Sequence, residues 1–298
     1  MDAHTGTSDG RLPRFVRHRF RKPPFVMTER DEDILWLVSK FRVVSSDDLQ
    51  RLMPGSKQTI LRRLQKLYHH SFLDRPQSQR TLGNRRMIYA LGQRGAELVI
   101  ARPFDRWGTD WADWREKNRQ LQTRYLEHAL MVSRFQVAIR CAAPTGRIDL
   151  GRWNQDGFVR ESVVVEHEDR TERIPVAPDA LCVFKDLKLG GRIHCFLEAD
   201  RSTMPVRRFV NKLRGYWHYW RSGQAEKQFG MKNFLVVTIT TSPERARNLA
   251  QASTAVADRG LRMFLFGSER TYAQGEPLRI LDDIWTAPGD GEHHSLLE

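Results

Sequence analysis

Two short runs of β-forming residues, each bounded by carboxylates, constrain this chain more than any other stretch. Residues 177–184 read A-P-D-A-L-C-V-F, and residues 194–201 read H-C-F-L-E-A-D-R, with a charged, glycine-containing segment between them. A segment of this kind between two β-rich runs is typical of a hairpin turn. The folded hairpin is predicted to place Asp179 beside the strand end that carries Glu198 and Asp200.

Three carboxylates at one strand edge repel one another and lower stability unless a cation neutralises them. Hard cations such as Mg²⁺ and Mn²⁺ prefer carboxylate oxygens, so the pattern predicts a metal site of Asp179, Glu198 and Asp200. Taken singly, however, proline–aspartate is a common turn dipeptide, and E-x-D beside an arginine is a common surface ion-pair cluster. The metal site and the surface cluster therefore stay open as alternatives on these residues alone.

A lysine, Lys212, follows twelve residues after Asp200, at the start of the helical segment K-L-R-G-Y. The order of proline–aspartate, acidic strand and lysine resembles the PD-(D/E)XK nuclease fold. More closely, P-D-A, F-L-E-A-D-R and K-L-x-x-Y together resemble the replication-relaxation proteins and the related metal-dependent, non-tyrosine relaxases of mobilisable plasmids. The resemblance covers most of the chain and implies a winged helix followed by a nuclease-like domain.

The resemblance also implies site residues by position. Asp179, Glu198 and Asp200 would hold Mg²⁺ or Mn²⁺, and Glu127 on the first helix of the nuclease-like domain would be a further ligand. The nuclease pattern places a lysine two residues after the glutamate, where this chain has Asp200. Lys212 would therefore act from the next helix as the fourth catalytic residue, by orienting water or stabilising charge on phosphorus.

The composition adds a broad constraint on partners and location. The 298 residues suffice for two modest domains, and 49 basic against 36 acidic residues give a formal net charge of +13, which favours a polyanionic partner. No apolar run of about 18 residues and no hydrophobic signal core occurs, so we expect a cytoplasmic protein without membrane insertion. Cys141, Cys182 and Cys195 lack C-x-x-C spacing, which predicts reduced, buried thiols.

The N-terminal third has the features of a DNA reader. Residues 1–24 are predicted to form a flexible basic arm that follows DNA phosphates or enters a minor groove, and a solubilising tail is the alternative. Residues 25–100 are predicted to form a winged-helix DNA-binding domain of three helices and a wing. Thr28 caps the first helix, and apolar spacing predicts the third from about Lys57 to His69.

Positive charge is concentrated on that predicted domain. From Lys57 to Arg94 nine residues are basic and Asp74 alone is acidic. The start of the third helix would touch base edges, and its other face and the wing would contact phosphates. The predicted nucleic-acid-binding residues are Lys57, Gln58, Thr59, Arg62, Arg63, Lys66, Arg80, Arg85 and Arg86. A winged helix that binds protein instead of DNA is the alternative.

Residues 101–118 are predicted to form a connector between the two domains, and they include tryptophans at positions 107, 111 and 114. Their helical spacing predicts a packed junction, with base stacking as the alternative.

Residues 119–288 predict a nuclease-like α/β domain, within an α+β chain overall. Its first helix runs to about Cys141 and carries Glu127 and His128, which on residue type alone are a solvated glutamate and a hydrogen-bonded histidine. Strands are predicted at 148–153, 158–165, 174–184 and 193–197, followed by a helix at 203–222. A strand–helix–strand unit then implies a right-handed parallel crossover within a mixed sheet. Residues 289–298 are predicted to be a frayed tail.

The leading hypothesis is a DNA-binding protein of plasmid or mobile-element replication or mobilisation that nicks DNA with a divalent metal. Expected partners are double-stranded DNA at an origin or operator and relaxosome or replication proteins, with a homodimer left open. A tyrosine mechanism through Tyr216 or Tyr219 is disfavoured, because the histidine-rich metal cluster that it usually needs is missing from the sequence. The alternative from another class is a non-catalytic transcriptional regulator, or a relaxosome or replication accessory protein, with a degenerate nuclease fold.

Overall fold

The computed structural model describes residues 14–17, 22–82, 86–101, 118, 121, 123–155, 157–166, 171–256, 262–273, 275–289 and 291–297. The chain divides into two units, Met1–Leu126 and Glu127–Glu298, which are described separately. The predicted tryptophan stripe at positions 107, 111 and 114 and the predicted phosphate contact Arg85 lie outside the described residues.

Helices of the first unit begin where the sequence supplies caps. The Asp31 carboxylate accepts the Thr28 backbone N–H at 2.8 Å, which closes a capping box and confirms Thr28 as the first cap. The Ser45 hydroxyl caps the second helix by accepting the Asp48 N–H. The helices are α1 (Glu29–Ser39), α2 (Ser46–Leu52), α3 (Lys57–His69) and α4 (Gln93–Ile100), and α3 has the predicted bounds.

A small antiparallel sheet accompanies these helices. Its strands are β1 (Val44–Ser45), β2 (Leu73–Asp74) and β3 (Ile88–Leu91), in the order β1–β3–β2. A 3₁₀ helix, Gln77–Leu82, lies between β2 and β3. Buried side chains of α1 and α3, such as Ile34 and Leu64, form the core of this unit.

The described part of the N-terminal arm differs from the prediction of a flexible segment. The Arg17 guanidinium donates to the Tyr68 carbonyl at 2.8 Å and to the Asp74 carboxylate at 2.9 Å. The Phe25 ring stacks on His70 at a centroid distance of 4.8 Å. Arg17 is held in place because it pairs with Asp74, the one acid between Lys57 and Arg94, and the half-buried Phe25 adds a ring contact directly after the arm.

The second unit contains a mixed sheet that confirms the predicted fold class. Among the described residues the sheet has seven strands in the order β12–β11–β10–β9–β8–β7–β4, with β8, β9 and β10 parallel and the other neighbours antiparallel. A separate antiparallel pair is formed by β5 and β6. The strands are β4 (Ile148–Gln155), β5 (Glu161–Glu166), β6 (Thr171–Val176), β7 (Ala180–Asp186), β8 (Arg192–Asp200), β9 (Leu235–Thr240), β10 (Phe264–Ser268), β11 (Trp285–Thr286) and β12 (His293–His294).

Helices cover both faces of the sheet. Helix α5 (Thr123–Ala142) packs on one face, where Phe135 meets Leu197 and Trp285 in one apolar cluster. On the other face, Leu213 of α6 (Val206–Arg221) shares a second cluster with Phe196. The remaining helices are α7 (Gln224–Phe229), α8 (Pro243–Ala252) and α9 (Glu269–Tyr272).

Two strand predictions need correction, and one connection is confirmed. The predicted continuous run from 174 to 184 is divided into β6 and β7, because Pro178 cannot donate to a strand ladder. The predicted frayed tail contains β12 and the fully buried Leu296, which joins the core cluster of Trp285. The unit β9–α8–β10 is a parallel crossover as predicted, and Ser242 caps α8.

The cysteines are free thiols, and Cys182 and Cys195 are buried as predicted, whereas Cys141 is half-buried. Cys182 and Cys195 are direct neighbours across β7 and β8. Burial raises the pKa of the Cys195 thiol to about 12, so it stays protonated at neutral pH.

Candidate functional site

The β7–β8 hairpin places Asp179 at the site as the sequence predicts. Ala180 pairs with Leu197 across the two antiparallel strands, and the Asp179 N–H donates to the Leu197 carbonyl at 2.9 Å. The Ala199 N–H in turn donates to Asp179 Oδ2 at 2.8 Å. The carboxylate of Asp179 is therefore fixed against the same strand that carries Glu198.

Helix α6 brings Lys212 to that strand. Lys212 Nζ contacts Glu198 Oε2, and the Tyr216 hydroxyl donates to Glu198 Oε1. Lys212 and Tyr216 are four residues apart and so lie on one face of the helix. Gly215 permits the close approach of α6 to β6, since an added Cβ would lie 2.8 Å from Ile174 Cγ2. The motif K-L-x-x-Y thus supplies both partners of Glu198.

Glu198 is only 2 % exposed, and its environment changes its acidity. Burial raises the pKa of Glu198 to about 7, the nearby Asp179 charge adds to the rise, and Lys212 and Tyr216 oppose it. Burial alone would lower the pKa of Lys212, but the charges of Glu198 and Asp179 raise it above its ordinary value. Lys212 is therefore a protonated cation at neutral pH, held beside two acids.

His128 on α5 is the partner of Asp179. Its Nε2 lies 3.2 Å from Asp179 Oδ2. Burial alone would raise the pKa of Asp179, but the hydrogen bond and charge of His128, with smaller contributions from Lys212 and the Ala199 N–H, lower it. Burial opposes the protonation of His128 as well, and Asp179 overcomes this effect and raises the pKa of the imidazole. We call Asp179, Glu198, Lys212, His128 and Tyr216 the acidic cluster.

The other two predicted ligands are held by other cations. Asp200 Oδ2 accepts from Arg245 Nε of α8 at 2.7 Å, and the same guanidinium donates to the Met204 carbonyl at 2.7 Å. Glu127 contacts Arg201. The structure therefore brings together Asp179, Glu198 and Lys212 of the predicted catalytic set, and it pairs Asp200 and Glu127 separately.

Two observations test whether this arrangement fits a divalent cation. Within the described ranges, no group of three or more His, Cys, Asp or Glu side chains is arranged to hold a metal ion. Mg²⁺, however, is commonly held by one or two carboxylates together with waters and substrate phosphates. Thr238 is the register partner of Glu198 on β9, and its buried hydroxyl has no hydrogen-bond partner in the described part of the chain. A closed four-carboxylate site therefore does not form among the described residues, and a Mg²⁺ or Mn²⁺ ion would have to use Asp179 and Glu198 together with water and phosphate oxygens.

The predicted DNA-contact residues of the first unit differ in their availability. Arg63 contacts the Asp31 carboxylate and donates to the Val26 carbonyl at 2.9 Å, so it already serves as a fold contact. Arg86 pairs with Asp47 at 2.7 Å yet remains half-exposed. Lys66 is half-buried on α3. The members that are exposed and form no ion pair among the described residues are Lys57, Gln58, Thr59, Arg62 and Arg80.

Several contacts of the site residues could not be predicted from the sequence. Tyr216 belongs to the motif K-L-x-x-Y, which indicates that it lies on the helix of Lys212 but does not predict its hydrogen bond to Glu198. His128 was open as a merely hydrogen-bonded histidine, and its partner proves to be Asp179. Nothing in the sequence links Arg245 to Asp200, since 45 residues separate them.

The fold and the cluster together define a class: an α+β protein in which two acids and a lysine meet at one end of a mixed sheet. The sequence profile of the replication-relaxation family matches residues 35–234, about two thirds of the chain. The chain belongs to this family. Family membership indicates a role in replication or mobilisation and an involvement with DNA or the replication machinery. Comparison with curated proteins and with solved structures gives no significant match.

None of the described helices combines the length and the apolar character that crossing a membrane requires.

Proposed function

We propose that this protein binds DNA through its first unit and nicks it at the acidic cluster of its second unit, during plasmid or mobile-element replication or mobilisation. The observation that carries the proposal is the convergence of Asp179, Glu198 and Lys212 from three different elements. An acid pair with an adjacent ammonium group is suited to phosphodiester hydrolysis, because negative charge develops on the phosphoryl oxygens during attack by water.

Asp179 and Glu198 would hold a Mg²⁺ or Mn²⁺ ion, which would supply a Lewis acid at the phosphate. The protein groups around them have separate tasks. Lys212 stabilises the charge that develops on the phosphoryl oxygens as water adds to phosphorus and one P–O bond breaks. Tyr216 and Lys212 fix the orientation of Glu198, and His128 fixes that of Asp179.

A covalent tyrosine mechanism is not supported by the position of Tyr216. Its side chain is fully buried, and its hydroxyl is engaged by Glu198. Burial raises the pKa of Tyr216 far above its ordinary value, with the charge of Glu198 as a second cause, so a phenolate nucleophile is disfavoured. Tyr219 is buried too, and its hydroxyl donates to Gln228 Oε1 at 2.5 Å.

DNA binding by the first unit rests on the start of α3. Lys57, Gln58 and Thr59 are exposed there, and Arg62 follows one turn later. Amide and hydroxyl groups suit base edges, whereas the cations suit phosphates. Strands β2 and β3 and the connection between them, with exposed Arg80 and Arg86, would act as the wing of a winged helix.

A second candidate function is a non-catalytic accessory protein or regulator with a degenerate site. The observation that favours it is the pairing of every predicted acid with a protein cation: Asp179 with His128, Glu198 with Lys212, Asp200 with Arg245, and Glu127 with Arg201. These pairs remove the charge repulsion that made a metal necessary in the sequence argument.

A nicking assay separates the two candidates. Supercoiled plasmid carrying the origin region of the native element is incubated with Mg²⁺, Mn²⁺ or chelator. The wild type should yield open circles only with metal, and Asp179→Asn should lower the rate by about a hundredfold or more, since it removes a charged ligand at constant shape.

The matched control is Glu226→Gln, which removes an exposed carboxylate on α7, outside the acidic cluster. It should nick like the wild type. Specific DNA binding without nicking in any metal would support the accessory function, and equal activity in wild type and Asp179→Asn would contradict the proposed site.

A separate binding assay tests the division of labour. Lys57→Ala together with Arg62→Ala should weaken origin-DNA binding, and Asp179→Asn should leave it unchanged. Arg51→Ala is the control, because Arg51 is engaged with Asp48 on α2. Equal loss in the control would show that the assay reports net charge and not the surface of α3.

A further inference from the structure

Helix α6 carries an excess of positive charge that its fold contacts do not neutralise. Its sixteen residues include Arg207, Arg208, Arg214, Arg221 and Lys212, and no acid. Arg207, Arg208 and Arg221 are exposed, and Arg214 is half-buried. Over the described residues none of these four arginines forms an ion pair, in contrast to arginines 134, 201 and 245 of the same unit.

Three of the arginines are aligned along the helix. Arg207, Arg214 and Arg221 are spaced by seven residues, or nearly two full turns, so they lie on one face about 10 Å apart. The buried residues of α6, among them Phe209 and Leu213, lie on the opposite face. The three arginines therefore form a line of about 20 Å on the outer side of the helix. We call it the arginine line.

The line and the acidic cluster lie on different sides of the same helix. Lys212, between Arg207 and Arg214, reaches inward to Glu198. Asn211 donates to Glu172 of β6 at 2.8 Å, which places one carboxylate beside the line. A ligand bound along the line would therefore contact the outer face of the helix whose inner face supplies Lys212.

The arrangement lowers the stability of the isolated protein. Arg207 and Arg208 lie in the first turn of α6, where the helix dipole disfavours cations and where no acid is present. Arg208 and Lys212 are like charges four residues apart, which is also unfavourable. An anionic partner along the outer face of α6 would offset the unfavourable position of Arg207 in the first turn.

We propose that the arginine line binds the sugar–phosphate backbone of the nucleic acid on which the acidic cluster acts, and holds it against the helix that carries Lys212. The length of the line corresponds to about six successive phosphates of one B-DNA strand, measured along the axis. The inference rests on the proposed function, since it identifies the partner of the same site. It adds a second contact surface, distinct from that of α3.

The test is the salt dependence of binding by the full chain. Anisotropy of a labelled origin duplex, and of one of its strands alone, is titrated at several salt concentrations for the wild type and for R207Q/R214Q/R221Q. The logarithm of the binding constant falls with the logarithm of the salt concentration. Each lost phosphate contact makes this slope less steep by about 0.9 for duplex and about 0.7 for single-stranded DNA. The triple variant should therefore lose about 2 to 3 in slope, and the form of DNA that shows the loss is the one bound by the line.

The control K185Q/K188Q/R192Q removes the same charge from exposed positions at the other end of the β7–β8 hairpin. Strand β8 has nine residues, so Arg192 lies roughly 26 Å from Asp200. The control should keep the wild-type slope. An unchanged slope in the α6 variant, or an equal loss in the control, would overturn the proposal.

The outcome is independent of catalysis. A reduced slope in the α6 variant supports the arginine line even if the wild type never nicks DNA, in which case only the catalytic function fails. Nicking by the wild type with an unchanged slope in the α6 variant would overturn the arginine line alone. Thermal unfolding of the variant guards against misfolding, and its melting temperature should equal or exceed that of the wild type.

Discussion

Glu198 and Asp200 lie two residues apart on β8, point to the same face of the sheet and are buried to nearly the same extent, 2 % and 4 % exposed. Their surroundings nevertheless differ. Asp200 is matched by one guanidinium, that of Arg245, which also binds the Met204 carbonyl and so joins α8 to the connection between β8 and α6. Glu198 shares its site with a second acid, Asp179, and its partners are a lysine and a phenol.

The difference separates a structural acid from a chemical one. A carboxylate balanced by a single guanidinium gains little from a further cation, and its removal leaves a buried charge. Asp179 and Glu198 share Lys212 and the imidazole of His128, so the ionised pair retains negative charge and affinity for a cation when His128 is neutral. In the proposed mechanism, E-x-D therefore divides into a metal-binding Glu198 and a structural Asp200.

The largest expected effect is on stability and concerns Asp200. Asp200→Ala leaves the largely buried Arg245 without its partner and should destabilise the protein by about 3–5 kcal/mol. Urea unfolding checks this value, and coupling to Arg245→Met in a double-mutant cycle checks its origin. Nicking per folded molecule should persist. If the Asp200→Ala variant stays folded but fails to nick DNA, Asp200 is a residue of the catalytic site.

The second prediction uses the acidity of Glu198. The folded state raises its pKa from the ordinary 4.5 to about 7, so the proton is held more tightly in the folded than in the unfolded chain. Stability from this group is present below about pH 4.5 and is lost as the pH rises to about 7, by roughly 2–3 kcal/mol. Urea unfolding in chelator should show a shallower decline over that range for Glu198→Gln than for the wild type. If the free energy of unfolding has the same pH dependence in Glu198→Gln and in the wild type, a group other than Glu198 is responsible for the decline.

Local patterns sufficed for much of the fold. Thr28, Ser45 and Ser242 mark helix starts because a cap acts on residues two or three positions away. The turn between β7 and β8 likewise predicted that Asp179 lies near Glu198. The residues in these contacts are close together in the sequence, so local patterns were enough to predict them.

Long-range partners were not predictable from the sequence. The separation of Asp200 from Glu198 depends on Arg245, and the packing of the N-terminal arm depends on a contact between Arg17 and Asp74. Both follow from tertiary packing of segments far apart in the chain. The acids of the predicted metal site are visible in the sequence, whereas the cations that fold against them, such as Arg245, are identified only by the structure.

The third prediction concerns Tyr216 as a support of Glu198. Tyr216→Phe removes one hydrogen bond to a buried acid and should cost about 1–2 kcal/mol of stability, with nicking lowered by about tenfold or less. Urea unfolding and the plasmid assay measure the two effects. A covalent protein–DNA adduct in the wild type that disappears in Tyr216→Phe would establish a tyrosine mechanism and overturn the role of the acidic cluster.

The smallest expected effect tests Glu127, the fourth acid that the sequence analysis assigned to the metal. Glu127 pairs with Arg201, and both side chains are partly exposed, at 36 % and 26 %. Partly exposed pairs contribute about 1 kcal/mol or less, so Glu127→Gln should change stability only slightly and leave nicking within about threefold of the wild type. Nicking assays over a range of Mg²⁺ concentrations decide the point. A metal ligand would shift the Mg²⁺ requirement upward, whereas a structural pair leaves it unchanged, because the pair lies outside the set formed by Asp179 and Glu198.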